Sequence, residues 1–277
     1  MNPQKSISVL KRTSQIHSDL QALRKINKMV SIELMGGLGN WMFQIAFAEY
    51  LKQIMDSSVR IFIGAYSPHA STDLMAGLFK NWRNDLTGYH SPRWFTEENM
   101  SLYDWKDIIT KTPEIHIIGY YQNYNYITPS FLHKLNLPTE IIRSYPDMHN
   151  TVFLHIRGGD YVNHWKHDVG LHKNYYSTAI KEFPEGTKFS VFTNDLNYAK
   201  SMEFLNHISY EFITESEIDS LYLMSQCKGG ICANSSFSWW GAYLNPTRKL
   251  ILPSKWFNTS EDFTDGYYFK EGTIIQV

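Results

Sequence analysis

The chain has 277 residues, of which 43% are hydrophobic and 15% aromatic, and its formal net charge at pH 7 is −1. This length and apolar content allow one large domain or two of ordinary size, and we expect two domains that share a cleft. A charge near zero, without blocks of like charge, excludes the basic surface that holds nucleic acid. The aromatic content serves either large cores or stacking on sugar rings and bases.

Two cysteines, Cys227 and Cys232, are expected to be buried free thiols, because two cysteines make neither a disulfide framework nor a metal site. No segment approaches the roughly 18 consecutive apolar residues of a transmembrane helix. The N-terminus lacks the apolar core of a signal peptide. The sequence therefore predicts a cytoplasmic protein without a transmembrane segment.

The first half of the chain predicts a leading helix and then an α/β unit. Apolar periodicity makes the extension at 1–29 one amphipathic helix. A buried strand, a glycine turn and a helix follow from Met29. The remaining predicted elements are strands at 59–65 and 114–121, a helix at 126–135 and a turn-rich crossing at 138–146. We assign 30–147 to an N-terminal Rossmann-like domain.

Strands and helices alternate more regularly in the second half, which we assign to a C-terminal Rossmann-like domain at 148–277. The predicted strands are 151–156, 188–193, 208–214, 230–233 and 249–253. The predicted helices are 172–183, 196–206, 217–228 and 236–245. Alternation of this kind predicts a parallel sheet whose ligands lie beyond the carboxyl ends of the strands.

A glycine loop, Gly36-Gly37-Leu38-Gly39-Asn40, follows the first predicted strand. It lacks the third glycine of a dinucleotide fingerprint and the Gly-Lys-Ser/Thr of a P-loop, which argues against hydride and phosphoryl transfer. Gly37 and Gly39 let the backbone approach a ligand closely, and Asn40 at the helix start can reach into a cleft. The plainer interpretation is a tight turn capped by Asn40.

A second motif, His155-Ile156-Arg157-Gly158-Gly159-Asp160, ends the strand at 151–156. The period of two places His155 and Arg157 on the same face. A guanidinium at a strand end suits a bidentate grip on phosphate and stabilises the charge of a departing diphosphate. The alternative is a structural salt bridge from Arg157 to Asp160.

The two remaining strand ends carry small polar residues. Asn234, Ser235 and Ser236 precede a Trp-rich helix whose first N–H groups can hold an anion, or they only cap a helix with two core tryptophans. The polar residues after the strand at 188–193 can meet a base or ribose or cap the next helix.

Three histidines, His164, His167 and His172, invite a metal interpretation. No carboxylate or thiolate cluster accompanies them, so we predict no metal site.

These motifs resemble those of the α-1,2-fucosyltransferases. The resemblance covers the glycine loop through Ala46, the His155–Tyr161 segment, and the segment from Asp219 to Asn245 that contains Ala-Asn-Ser-Ser-Phe-Ser-Trp-Trp. The three motifs stand in the family's order and together span about residues 30–256. The resemblance implies a GT-B-like pair of Rossmann-type domains, with the acceptor side in 30–147 and the nucleotide sugar bound by 148–277. It implies inverting transfer of fucose from GDP-fucose to a terminal galactose of a glycan. It also implies that no metal or other cofactor is needed.

The resemblance also implies roles for individual residues. Arg157 would grip the β-phosphate, and Asn40 would reach the donor across the cleft. The residues that would line the diphosphate are Ser235, Ser236 and Phe237, beside Gly37, Gly39 and Asn234. Those near the guanosine would be Thr193, Asn194 and Asp195, and Asp219 is a further candidate. For the base that accepts the acceptor's proton, the residues themselves offer Asp160, His155 and the more distant Glu33.

The chain departs from the family pattern at three positions. Gly158 replaces the second arginine, Trp41 stands where glutamine is usual, and Asn194 stands where aspartate is common. Two alternatives to fucosyl transfer therefore stay open. One is a related transferase that uses another nucleotide-deoxyhexose donor, and the other is a non-catalytic module that binds a sugar nucleotide or glycan.

Overall fold

The computed structural model describes residues 29–54, 58–64, 73–97, 108–109, 111–259 and 266–277. Within these residues, ten strands form two sheets in which all neighbouring strands run parallel. This arrangement confirms the predicted α/β class with two parallel sheets. The predicted leading helix at 1–29 lies, but for its last residue, outside the described residues. No described helix has the length and apolarity to cross a membrane.

The first sheet has four strands in the order β2-β1-β4-β3. They are β1 (Met29–Leu34), β2 (Ser58–Ile63), β3 (Trp94–Thr96) and β4 (Glu114–Ile118). The α-helices of this part are α1 (Leu38–Ile54), the single turn α2 (Asp73–Ala76) and α3 (Pro129–Lys134). Helix α1 is apolar nearly all round and is buried over most of its length, so it packs between the sheet and the rest of the molecule.

The second sheet has six strands in the order β10-β9-β8-β5-β6-β7. The strands are β5 (Val152–Ile156), β6 (Lys188–Thr193), β7 (Ser209–Ile213), β8 (Gly229–Ile231), β9 (Lys249–Pro253) and β10 (Gly272–Ile275). Their helices are α4 (Tyr175–Lys181), α5 (Leu196–Lys200), α6 (Glu217–Gln226) and α7 (Ser236–Tyr243). The order reverses beside β5, and ligands of open parallel sheets bind at such a switch point.

One apolar core runs through both parts of the molecule. Phe43 of α1 packs against Trp239 and Trp240 of α7, with ring centroids 4.7 and 4.9 Å apart. Both tryptophans are fully buried, which confirms their predicted role as core anchors. A second cluster, which includes Leu154, fills the other face of the second sheet. Burial of aromatic rings between α1 and α7 therefore fixes how the two sheets lie relative to each other.

Several predicted boundaries are wrong. The helix predicted from Asn40 begins at Leu38, and the helix predicted at 196–206 is α5 followed by a separate 3₁₀ turn at Glu203–His207. The helix predicted at 126–135 is α3 preceded by a 3₁₀ turn at Tyr124–Tyr126. The strand predicted at 230–233 is β8 at Gly229–Ile231, where the Phe153 ring occupies the space that a Cβ at Gly230 would need.

Candidate functional site

The glycine loop turns sharply because its first residue is in the left-handed region. Gly36 has a φ of 78°, and a Cβ there would overlap the carboxamide of Asn40. The Gly37 carbonyl accepts hydrogen bonds from the N–H groups of Asn40 and Trp41, at 3.0 and 3.1 Å. The loop therefore begins α1 and holds Asn40 in the first helical turn.

Asn40 joins the first sheet's domain to the second. Its Oδ1 accepts hydrogen bonds from Gln122 Nε2 at 2.6 Å and from Ser236 Oγ at 3.0 Å. Gln122 follows β4, and Ser236 is the first residue of α7. Sequence reasoning missed Gln122, because an isolated glutamine in a loop carries no motif.

Gly39 brings the starts of α1 and α7 into direct contact. A Cβ at Gly39 would lie 2.6 Å from the backbone nitrogen of Phe237 and the carbonyl carbon of Ser236. The Gly39 carbonyl also accepts a hydrogen bond from Trp240 Nε1 at 3.0 Å. The close approach predicted for this glycine is therefore made to α7 of the same chain.

Arg157 follows β5, and two contacts hold its guanidinium. Its Nη2 donates to Asp160 Oδ1 at 2.7 Å, so the predicted structural salt bridge is present. The guanidinium lies over the ring of Tyr161, 4.7 Å from its centroid. Its buried Nε has no hydrogen-bond partner in the described part of the chain. An arginine held in this way still has an N–H available for an anionic ligand.

His155 lies in β5, two residues before Arg157, and is buried. Burial lowers the pKa of His155 to about 3, and the charge of Arg157 adds to the shift. Its ring is 5.6 Å from that of Phe237, centroid to centroid, and its Nδ1 has no partner among the described residues. A neutral, buried imidazole of this kind is a poor proton acceptor at pH 7.

Asn194 and Asp195, predicted to lie near the guanosine, hydrogen-bond the backbone of the loop after β5. Asn194 Oδ1 accepts from the Gly158 N–H at 2.9 Å, and Asn194 Nδ2 donates to the Gly158 carbonyl at 3.3 Å. Asp195 accepts from the Gly159 N–H at 3.2 Å and caps α5. Thr193 Oγ1 accepts from the Asp195 N–H at 3.0 Å. The cap interpretation of Asp195 is thus confirmed, and these side chains shape the loop that carries Arg157.

Gly158 has a structural reason to be glycine. A Cβ there would lie 2.7 Å from both Asp195 Cβ and Tyr198 Cδ1. The loop therefore packs directly on α5, and an arginine side chain has no space at this position.

Asn234, Ser235 and Ser236 hold the start of α7. Ser235 is the N-cap, and its Oγ accepts from the Phe237 N–H at 3.3 Å. Asn234 is buried and donates to the carbonyls of His167 and Trp256, both at 2.9 Å. Asn234 therefore fixes the loop around His167 beside Arg157.

Asp219 stands apart from this group. It lies in the first turn of α6, after the edge strand β7, and accepts a hydrogen bond from Ser216 Oγ at 2.6 Å. Among the described residues, the side chain and the backbone N–H of Asp219 hydrogen-bond to Ser216 and do not reach the residues around Arg157. Glu33 is likewise engaged elsewhere, at 2.9 Å from Nε2 of the buried His116 in the first sheet.

A small cavity of about 20 Å³ lies beside Arg157. Its walls include Tyr161, His167, Tyr198 and Asn234. Burial lowers the pKa of His167 to about 4, with His164 and Lys166 contributing, and its Nδ1 has no partner among the described residues. Unpaired buried polar atoms are rare, and three of them, on Arg157, His155 and His167, belong to the same segment. This clustering makes the carboxyl end of β5 the candidate ligand site.

Among the described residues, no group of three histidine, cysteine or acidic side chains is arranged to hold a metal ion. His164 Nδ1 accepts from the backbone N–H groups of Lys166 and His167, at 3.2 and 3.3 Å. Cys227 and Cys232 are buried free thiols, as predicted.

Two α/β domains with parallel sheets, joined through α1 and α7, form the two-domain arrangement of GT-B-like glycosyltransferases. The chain belongs to glycosyl transferase family 11, whose profile matches residues 4–271.

Two relatives come from Escherichia coli. The O-antigen biosynthesis glycosyltransferase WbnK is 39% identical over 121 residues, a match that spans 39% of either chain. An alpha-1,2-colitosyltransferase is 27% identical over 286 residues, 84% of this chain and 94% of that one.

Two solved structures are also similar. The fucosyltransferase NodZ from Bradyrhizobium matches at a TM-score of 0.49 and 15% identity, over 79% of this chain and 94% of that one. The ADP-heptose heptosyltransferase II of E. coli matches at 0.42 and 11%, over 90% of each chain.

Proposed function

We propose that this chain transfers L-fucose from GDP-fucose to a hydroxyl of a glycan acceptor, O2 of a terminal galactose, with inversion and without a metal ion. The observation that carries the proposal is Arg157, held by Asp160 and Tyr161 at the carboxyl end of β5 with a buried, unpaired Nε. A fixed guanidinium beside the first turn of a helix is suited to a diphosphate.

The reaction needs little covalent chemistry from the protein. The acceptor oxygen forms a bond to the anomeric carbon from one face while the bond to the β-phosphate oxygen breaks on the other. GDP departs with the electron pair, and Arg157 and the N-terminus of α7 stabilise the charge that develops on it.

The acceptor hydroxyl loses its proton to a base, and Asp160 is our choice. Its carboxylate is 47% exposed and hydrogen-bonded to Arg157, so it is accessible to an acceptor from solvent and lies next to the proposed phosphate-binding group. His155 is the less suitable candidate, because a pKa of about 3 leaves it a weak base.

The test is an assay with GDP-fucose and a panel of β-galactosides that measures both released GDP and fucosylated product. We expect transfer by the wild type and a loss of at least a hundredfold in Arg157→Ala. Arg143→Ala is the matched control, because Arg143 is 80% exposed and pairs only locally with Glu140. If the wild type releases no GDP with any acceptor, the proposal is wrong.

A second donor is a specific alternative. The relative described as an alpha-1,2-colitosyltransferase covers most of this chain. In addition, Gly158 and Asn194, which are in contact, stand where the family pattern has an arginine and commonly an aspartate. Calorimetry and turnover with several nucleotide-deoxyhexoses distinguish the two donors. Binding without turnover of any of them would instead favour the non-catalytic module.

A further inference from the structure

An exposed tryptophan stands on the loop that follows Tyr161. Trp165 is 72% exposed, although large apolar side chains of this kind are ordinarily buried or half-buried. Its indole lies against the imidazole of His164, with ring planes 23° apart and centroids 6.0 Å apart. One broad face of the pair is thereby left to solvent.

The loop around Trp165 is built to hold this position. Asp168 accepts from the Asn163 N–H at 2.8 Å, and its own N–H donates to the His164 carbonyl at 2.9 Å. Asn258 donates from its side chain to the Trp165 carbonyl at 3.3 Å and from its backbone to the Lys166 carbonyl at 2.8 Å. The loop is therefore already ordered, and a ligand that binds it pays little free energy for ordering it.

Trp165 borders a cleft of about 550 Å³ that lies next to the Arg157 cavity. The two spaces share Asp168, Val169 and His172 as walls. The other walls of the cleft are mainly polar, and include Asn163, Lys173, Lys255 and Asn258. This volume lies within the range of small-molecule sites.

We propose that this cleft binds the acceptor glycan, with a sugar ring stacked on the indole of Trp165. The C–H face of a pyranose is apolar, whereas its edge carries hydroxyl groups, so an exposed indole beside hydrogen-bonding side chains matches both surfaces. Asn163, Lys173 and Lys255 are the groups that would bind the hydroxyls. The inference rests on the proposed function, since it places the acceptor beside the donor site at Arg157, and it moves the acceptor from the first domain, where the sequence predicts it, to the second.

The test compares Trp165→Ala and Trp165→Phe with the wild type. Tyr210→Ala is the control, because Tyr210 is an exposed aromatic near the amino end of β7, the opposite end of the sheet from the site. We expect Trp165→Ala to raise the acceptor KM about two- to twelvefold, the loss of one aromatic stacking contact, and Trp165→Phe to raise it less. The Kd of GDP should stay within about twofold of the wild-type value.

A second measurement is independent of turnover. Saturation-transfer NMR without donor, on a β-galactoside disaccharide, should show transfer to the sugar with the wild type and the Tyr210 variant and a weaker signal with Trp165→Ala. Trp165-dependent binding by a protein that turns over no donor would overturn the proposed function and leave the glycan site standing. An unchanged acceptor KM in an active Trp165→Ala variant would overturn the glycan site alone. Weaker GDP binding by Trp165→Ala would overturn the glycan site and assign the indole to the nucleobase. The absence of a sugar signal with the wild type would also overturn the glycan site.

Discussion

Ser236 Oγ donates a hydrogen bond to Asn40 Oδ1 across 3.0 Å, although the two residues are 196 positions apart in the chain. The bond joins the first turns of α1 and α7, which flank different sheets. Arg157 and Asn234 line one cavity beside α7. The contact between the two helices therefore sets the distance between the first domain and the proposed phosphate site.

Gly39→Ala tests this close approach. The added Cβ would overlap backbone atoms of Ser236 and Phe237, which cannot rotate away, so α1 and α7 must separate. We expect the free energy of unfolding to fall by about 1–3 kcal/mol. We also expect kcat to fall about a hundredfold, because a small misplacement of a catalytic site is costly.

Gly88→Ala is the matched control for that variant, since a Cβ at Gly88 meets nothing within 4 Å. Urea unfolding and steady-state kinetics are measured for both. Equal effects of the two substitutions would show that packing against α7 is not the cause.

Asn40→Ala removes the acceptor for both Gln122 and Ser236. The expected loss is about 1–3 kcal/mol of unfolding free energy, because the remaining donors lose a partner within the interface. A double-mutant cycle with Ser236→Ala measures their coupling, expected at about 0.5–1.5 kcal/mol. Strictly additive effects would contradict a direct bond between the two side chains.

The sequence was sufficient to predict the long buried strands and the strand-end motifs. β6 and β9 span the residues predicted for them, β1 begins at Met29 as predicted, and β5 begins one residue after its predicted start, because their apolar runs are bounded by clear turn signals. β3 and β10 were missed, since three or four residues carry too little periodicity to be distinguished from a loop.

The contacts between domains could not be read from the sequence. Gly39 was predicted to let the backbone approach a ligand. In the structure, the absence of a side chain at Gly39 instead allows α7 to pack closely against it. Gln122 and Trp165 belong to no motif. Folding brings Gln122 to Asn40, and Trp165 borders the cleft next to the Arg157 cavity. Asp219 shows the converse, because it lies within a motif but engages Ser216 after an edge strand.

Asn194→Asp tests the coupling between Asn194 and Gly158. The substitution replaces the amide donor by a carboxylate oxygen facing the Gly158 carbonyl, while the acceptor for the Gly158 N–H remains. We expect a loss of about 1–3 kcal/mol of stability and weaker GDP binding, because the loop that carries Arg157 is distorted. Asn197→Asp, at an exposed position on α5, is the control.

Gly158→Ala extends the same argument from the other side of the contact. Its Cβ would overlap Asp195 and Tyr198, so it too should destabilise the fold. Unfolding in urea and calorimetry with GDP give both quantities. Wild-type stability in both Gly158→Ala and Asn194→Asp would mean that the loop has space for a side chain after all.

The two buried histidines predict how stability depends on pH. Burial lowers the pKa of His155 to about 3 and that of His167 to about 4, from an ordinary value of 6.5. In the unfolded chain both take up a proton near pH 6.5, so the unfolded state binds more protons than the folded state below that pH. The free energy of unfolding must therefore fall as the pH drops from about 6.5 towards 4.

His155→Gln removes one of these two titrations. For the fully buried His155, the contribution approaches about 1.4 kcal/mol per pH unit in the middle of the window. Urea unfolding at several values between pH 4 and pH 8 should give a shallower decline for His155→Gln than for the wild type. The exposed His207→Gln should keep the wild-type decline. A decline that is equally steep in all three proteins would assign the pH dependence to other groups and would show that His155 protonates in the folded state.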